Sequence, residues 1–379
     1  MVSVCLFWVS ALLLVYVYAG YALGWRLLSR LHGRVALTGP VTPTMTVIVT
    51  AFNEERGIHA KLDNLLSLDY PADRFDVLVA SDGSTDLTDE IVRRYGDSRV
   101  RLLRVEGRVG KTETQNQAAA ACSAEILLFT DATTVIDTSA LRALASNFAD
   151  SGVGCVAAQL VYLGKGSNLT AAGGTAYWGY EIALRQAESS LGSLVGVSGC
   201  LYAVRRAAYR PISPELISDF VIAMRMREQG LRTVLEPRAI CFEDTLDRSK
   251  QELSMRVRVA IRSIGALVSE RHMLNPFRFG LFAIQLLSHK ALRYASPLLW
   301  AVALLSCLPL VNRPFYLACL MVQLLVLAAG GIGFVLHARS AGRGLLGKAY
   351  YFVLTNLASL LAIVRYLRGE RVRIWNPVR

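Results

Sequence analysis

The seven cysteines of this chain show no paired spacing, and three of them, Cys5, Cys307 and Cys319, sit inside apolar stretches. That argues against both a zinc site and a disulfide framework. Charge is missing altogether from residues 2–25, 294–312 and 314–338. Each run is near or above the roughly 20 residues a helix needs to cross the hydrocarbon core, so an ordinary soluble protein is excluded. No basic residue precedes the first run, whereas Arg26, Arg30 and Arg34 follow it. A secretory signal carries its positive charge first; an uncleaved anchor with its following domain in the cytoplasm carries it last. A further absence removes an enzyme class. After the first strand the chain reads AFNEERG, without the Gly-x-Gly-x-x-Gly turn that a nicotinamide-binding domain requires.

What is present is a chain 53% hydrophobic and 18% charged, with mean hydropathy +0.39 and net charge +12. The basic residues cluster beside the apolar runs, at Arg26–Arg34, Lys250–Arg262, Arg339–Lys348 and Arg365–Arg379. Anionic lipid headgroups explain that placement better than nucleic acid does. Residues 26–276 between the runs are enough for a core of their own.

Strand-like runs alternate with helical stretches through this middle region. TVIVT (46–50), FDVLVA (75–80), VRLLRV (100–105), EILLFT (125–130) and VAAQLVY (156–162) read as strands, with helices near 55–67, 85–95, 112–122 and 138–148. Continuous apolar strands alternating with helices predict an α/β fold with a mainly parallel sheet. Ligands of such sheets sit at the C-terminal ends of the strands. The segments AFNEE, SDGSTD and TDATT, which follow three of them, are therefore where chemistry is expected.

From residue 250 the character changes. Leu253, Val257, Ile261, Ile264 and Val268 recur at helical spacing with Arg256, Arg258 and Arg262 on other faces. This stretch and FRFGLFAIQLLSHKALR (277–293) read as amphipathic helices in the membrane surface. Residues 294–312 and 314–337 then read as a hairpin about Asn312-Arg313-Pro314, with Lys290, Arg293, Arg339, Arg343 and Lys348 placing both flanks inside. Only sixteen uncharged positions separate Lys348 from Arg365, so whether 349–364 spans is left open. The expected organisation is an N-terminal transmembrane helix (1–25), a cytoplasmic domain (26–249), interface helices (250–293) and a C-terminal transmembrane region (294–379).

Asp82-Gly83-Ser84-Thr85-Asp86 follows a strand and opens a helix. A helix start accounts for Ser84 to Asp86, with Ser84 or Thr85 as cap and acids in the first turn. It leaves Asp82 unexplained; a carboxylate there can accept the imide N–H of a uracil. Asp131, at the tip of another strand, can meet a metal or a ribose. EGRVGK brings Lys111 to the same edge, where an ammonium can meet phosphate. The aromatics of AYWGY (176–180) suit either sugar stacking or a helix resting on the sheet, and Asn168-Leu169-Thr170 is a glycosylation sequon without meaning in a cytoplasmic domain.

In this order, VIVTAFNEE (47–55), VASDGSTD (79–86), VGKTETQN (109–116), FTDATT (129–134), SGCLYAVRR (198–206) and ISDF (217–220) resemble the membrane-bound glycosyltransferases of family 2, which include cellulose, hyaluronan and poly-N-acetylglucosamine synthases. The resemblance covers roughly residues 44–265. It implies a GT-A fold inserted between transmembrane helices, a UDP-sugar donor and a divalent cation, Mg2+ or Mn2+. It assigns Asp82 to the base, Glu54 or Glu55 to the nucleoside side, Lys111 to the diphosphate, Asp219 to general-base catalysis and Gly199, within Ser198-Gly199-Cys200, to the acceptor pocket. Two motifs depart from the family pattern. Its D-x-D appears as Asp131-Ala132-Thr133, and its Q-x-x-R-W is absent, with Arg258 near the place of that arginine and Val259 where the tryptophan would stand.

Magnesium commonly takes only one or two carboxylates and fills its shell with water and substrate phosphates. A metal held by Asp131, helped by Thr133, is therefore expected to be loose without nucleotide. Glu243 or Asp244, after AICF (239–242), is a further acid, with an exposed loop position the plainer reading. The function these features imply is inverting transfer from a UDP-sugar to a growing polysaccharide or lipid-linked acceptor at the cytoplasmic face of a bacterial inner membrane, with polysaccharide biosynthesis or export proteins as partners. Two alternatives stand beside it: a single-sugar glycolipid-forming transferase and an inactive scaffold for polymer export.

Overall fold

The computed structural model describes residues 1–163, 169–244, 249–337 and 345–374, with backbone alone at 169–178, 249–251, 335–337 and 345. The sequon at 168–170, the side chains of Ala176, Tyr177 and Trp178, and Arg339 and Arg343 lie outside the described residues. The chain divides into two units. One comprises Met1–Leu31, Gly164–Leu184 and Thr245–Glu370; the other comprises His32–Leu163, Arg185–Asp244 and Arg371–Arg379.

The second unit is built on one eight-stranded sheet: β1 (Met45–Ala51), β2 (Phe75–Asp82), β3 (Val100–Val105), β4 (Ile126–Asp131), β5 (Val135–Ile136), β6 (Val153–Leu163), β7 (Leu201–Arg205) and β8 (Arg232–Asp244), in the order β3-β2-β1-β4-β7-β6-β8-β5. The β3-β2-β1-β4 half is parallel throughout. Its strands are the runs singled out above; β1, β2 and β4 are almost wholly buried, as in a sheet covered on both faces, whereas the edge strand β3 carries Arg101 and Arg104 and is only partly buried. Val47, Ile48, Val49, Val77, Val79, Leu127, Leu128 and Phe129 are all at most 0% exposed.

β7 is antiparallel to both β4 and β6, which makes the sheet mixed though mostly parallel. It is five residues long, too short for periodicity to mark it, and its side chains pack by shape: the rings of Phe129 and Tyr202 stack at 5.0 Å. β8 runs much further than AICF suggested. Pro237 falls within it, where the pairing with β6 skips from Glu236 to Ile240; a bulge is where a sheet tolerates a residue lacking an N–H.

The strand order reverses between β1, which leads to β2 and β3 on one side, and β4 on the other. That reversal opens a crevice beyond their C-terminal ends. Ala51 and Asp131 stand at its two lips.

In the helical unit, four helices are long and apolar enough to cross a membrane among the described residues: Val2–His32, Leu281–Leu310, Pro314–Phe334 and Leu346–Leu367. The first continues past residue 25 through Arg26 and Arg30. The second runs unbroken across residue 293, so Leu281–Arg293 is part of one long helix and not a separate surface element. Phe7 packs with Cys307, Tyr316 and Leu320. Where Tyr18 meets the other helices its hydroxyl lies 2.9 Å from Ser296 Oγ, and Ser296 in turn donates to Asn356 Oδ1 at 2.9 Å. Interhelical hydrogen bonds and small residues are what hold apolar helices together when lipid is as apolar as the side chains. Gly330 and Gly333 serve that purpose: a methyl on either would approach Val353 to 2.5 Å or Tyr350 to 2.7 Å. The Ser249–Ser269 helix is amphipathic as expected, with Val257 and Ile261 buried. Its Arg256 bonds both Glu252 and the Tyr351 hydroxyl, so it packs on the Leu345–Leu367 helix.

Candidate active site

The turn after β1 is held by the turn after β2. Asn53 adopts a left-handed conformation, φ 54°, which asparagine tolerates better than most residues. Its N–H donates to Ser84 Oγ at 3.0 Å and its carboxamide oxygen accepts from the Thr85 N–H at 2.7 Å. The Glu55 N–H donates to Asp86, and the Glu55 carboxylate accepts from the Leu87 N–H at 3.2 Å. Ser84 and Thr85 are therefore not helix caps. The helix starts only at Thr88, and these polar residues join two strand ends. Glu54 is half-buried and Glu55 exposed.

Asp82, the last residue of β2, is buried. It accepts the Val109 N–H at 2.8 Å and the Gly110 N–H at 3.0 Å. A carboxylate offers about four lone-pair sites, so these bonds leave it capacity for a ligand while they fix the loop. Arg108 in that loop stacks its guanidinium over Phe52 at 3.4 Å. The Lys111–Ala120 helix follows directly, putting Lys111 at its first position. The Thr112 hydroxyl donates to the Leu216 carbonyl at 2.9 Å, which ties this helix to the loop entering the Ser218–Glu228 helix. The last described residues reach the same loop: a methyl on Gly110 would meet the Arg373 carbonyl oxygen at 2.3 Å.

At the tip of β4, Asp131 forms an ion pair with Lys111. Burial draws the Lys111 ammonium down, but the charges of Asp131 and Asp219 outweigh it and hold the pKa above the ordinary lysine value. Asp219 stands at the start of its helix. A methyl on Gly199 would lie 3.0 Å from Asp219 Oδ2 and 3.4 Å from Lys111 Nζ. Thus Lys111, Asp131, Gly199 and Asp219, from four separate segments, converge at one edge of the sheet. Asp82 joins them through the loop it holds. Thr133 is exposed. Arg258 stands half-buried on the Ser249–Ser269 helix, in the helical unit.

Three more residues join them: Cys200, whose motif was assigned to the acceptor pocket, Glu243, weighed above as a further acid, and Lys61, which the sequence did not single out. Cys200 is buried, its carbonyl accepting from the Thr130 hydroxyl at 2.8 Å. Its thiol donates to Glu243 Oε2 at 3.2 Å. Glu243 is not an exposed loop acid: it is the penultimate residue of β8, half-buried, and its pKa is raised by burial and by Asp131. One ligand atom each from Asp131, Cys200 and Glu243 lie within 4.8 Å of one another. Beneath them Lys61, 4% exposed, donates to Thr130 Oγ1 at 3.1 Å and to the Thr134 carbonyl. Burial lowers its pKa to about 7. Nothing in KLDNLL marks a buried lysine, since the same letters suit any amphipathic helix. The donor set suits a divalent cation: hard carboxylate oxygens, with an ammonium already attracted to one of them.

Residues 46–212 match the profile of Glycosyl transferase family 2. An N-acetylglucosaminyltransferase of Bradyrhizobium elkanii is 32% identical over 137 residues, which cover 35% of this chain and 75% of the relative. The chain belongs to glycosyl transferase family 2 and is a glycosyltransferase. It is also similar to a poly-beta-1,6-N-acetyl-D-glucosamine synthase of Staphylococcus aureus, 22% identical over 204 residues, 52% of this chain and 49% of that protein. The chain thus spans about half the length of these staphylococcal relatives. Among solved structures, the mannosyltransferase of Pyrobaculum calidifontis, in complex with GDP-Man and Mn2+, superposes with a TM-score of 0.72 at 21% identity, covering 96% of this chain and 99% of that one. The fold is accordingly GT-A-like.

Proposed function

We propose that this protein is an inverting, metal-dependent glycosyltransferase that moves a sugar from a UDP-linked donor to a growing polysaccharide or lipid-linked acceptor at the cytoplasmic membrane face. The observation that carries the reading is the convergence of Lys111, Asp131, Gly199 and Asp219 at the sheet edge where α/β folds bind ligands. The donor's base lies by Asp82, beside the stacked Phe52 and Arg108 planes and near Glu54 and Glu55. Its diphosphate faces Lys111 and the N-terminus of the Lys111–Ala120 helix, whose dipole favours an anion. Asp131, with Thr133 near it, would hold a Mg2+ or Mn2+ ion, which would offset charge on the leaving diphosphate. Asp219 takes the proton of the acceptor hydroxyl as that oxygen bonds to the sugar's anomeric carbon, and UDP departs from the opposite face. The resemblance, by sequence position, assigns Arg258 to the leaving diphosphate. The relatives' names make UDP-N-acetylglucosamine the first donor to test.

A polymer is the reading the synthase relatives favour. The absent Q-x-x-R-W motif favours addition of a single sugar. A nucleotide-release assay over UDP- and GDP-sugars, with and without oligosaccharide and lipid-phosphate acceptors, separates these. Release that needs acceptor and metal supports transfer; no release with any donor leaves only the scaffold.

The proposed layout rests on parity. With the catalytic unit and residues 371–374 sharing one side of the membrane, the chain between them crosses an even number of times. Three candidate spans lie in that interval. We take Leu345–Leu367 as the one that does not cross, because it holds Lys348 and Arg365 with only sixteen uncharged positions between them. A cysteine at Arg368 is expected to react with an impermeant maleimide from the cytoplasmic side; labelling from outside refutes the layout.

A further inference from the structure

Where the resembled family's metal motif reads D-x-D, this chain has Asp131-Ala132-Thr133, and Thr133 is exposed. A neutral hydroxyl is a weak substitute for a carboxylate on a hard cation. The missing carboxylate is found on another strand. Glu243 lies at the end of β8, opposite Tyr162 of β6, and is separated from Asp131 by the whole of β6 and β7 in the sheet order. The side chains nevertheless meet, with an oxygen of each acid and Cys200 Sγ all within 4.8 Å.

We propose that Glu243 is the second protein ligand of the divalent cation, supplying from β8 the carboxylate lost at Thr133, and that Cys200 is a positioning residue whose thiol hydrogen bond sets the Glu243 carboxylate toward Asp131. The proposal rests on the metal-dependent reading given above.

Three observations carry it. Two half-buried carboxylates held this close repel each other, and a bound cation turns that repulsion into attraction. A cation is already drawn to the spot: the Lys111 ammonium sits on Asp131, standing where positive charge is wanted. Finally, the Cys200 thiol is buried and donates to Glu243 at 3.2 Å. A thiol that spends its hydrogen on a carboxylate orients that carboxylate, and the two acids offer hard oxygens. That set suits Mg2+ or Mn2+ and not zinc.

The test is Mn2+ binding to the full-length detergent-solubilised protein, followed by electron paramagnetic resonance with saturating UDP. Glu243→Gln is expected to weaken Mn2+ binding at least about tenfold, and Thr133→Ala to change it less than about twofold. UDP binding measured in EDTA confirms that each variant retains its fold. Should Glu243→Gln lose UDP binding altogether, Glu243→Asp is read in its place, with a smaller loss expected from the shortened side chain. Unchanged Mn2+ affinity in the Glu243 variant, or a loss in Thr133→Ala as large as in the Glu243 variant, overturns the assignment. Wild-type protein that binds no Mn2+ even with UDP overturns the metal-dependent reading itself, a result distinct from either.

Discussion

Lys111 and a metal ion compete for Asp131, and replacing the lysine separates its two duties. In Lys111→Met the stem still fills its space but the charge is gone. Two unit charges at ~4 Å interact by about 4 kcal/mol at an effective dielectric near 20. The side chains here are 17% and 23% exposed, and a lysine stem can swing aside, so about 1–2 kcal/mol of the repulsion toward an incoming cation is expected to survive in the wild type. Removing it should tighten nucleotide-free Mn2+ binding by about 5- to 30-fold. The same substitution deletes a charge-assisted hydrogen bond to diphosphate, of roughly 1.5–3 kcal/mol, so UDP should bind about 10- to 150-fold more weakly. Paramagnetic resonance reads the first quantity and calorimetry the second. Opposite movement of the two affinities is the signature. If nucleotide-free Mn2+ binding is unchanged or weaker in Lys111→Met, the ammonium is not the metal's competitor and the reasoning fails.

Asp219→Asn is expected to fold and to bind UDP normally while turnover falls by at least about 100-fold, the lower range for a positioned general base; near-wild-type turnover removes Asp219 from the chemistry. Gly199→Ala brings a methyl to 3.0 Å from Asp219 Oδ2, and overpacking of about 1–3 kcal/mol should appear as lost turnover with UDP affinity retained. For Lys61 the sign follows from its lowered pKa of about 7: from pH 7 to 9 the unfolded chain keeps the proton that the folded protein releases, so stability rises with pH. Over that interval the gain is about 2 kcal/mol. The metal-free wild type should therefore gain apparent melting temperature relative to Lys61→Met between pH 7 and 9, and parallel profiles would falsify the buried-lysine account. Asn356→Leu, which breaks the contact with Tyr18 and Ser296, should cost about 1 kcal/mol and lower the melting temperature while donor binding is unaffected.

Five strands, and the crevice beyond four of them, were legible because burial leaves an apolar run that composition alone reveals. Asp82 and Asp131 could be found because each ends such a run, where an acid serves no packing purpose. Lys111 was reached through the short EGRVGK loop that brings it to the same edge, whereas Asp219 required the resemblance, since an acid at a helix start also has an ordinary capping or dipole explanation. β7 escaped because it is short and antiparallel, and the extent of β8 escaped because Pro237 interrupts its pattern. Glu243 was underestimated for the same reason: only the pairing of β8 with β6 brings it beside Asp131. Ser84 and Thr85 illustrate the converse, since local propensity assigned them to a helix cap while a neighbouring strand's turn claimed their hydrogen bonds.

The most direct measurement is a structure of the full-length protein with UDP and Mn2+. The account expects Mn2+ against Asp131 and the diphosphate, uracil beside Asp82, Lys111 moved from Asp131 to phosphate, and Asp219 facing the vacant sugar site. Nucleotide bound away from the β1–β4 crevice, or metal held without Asp131, would contradict it.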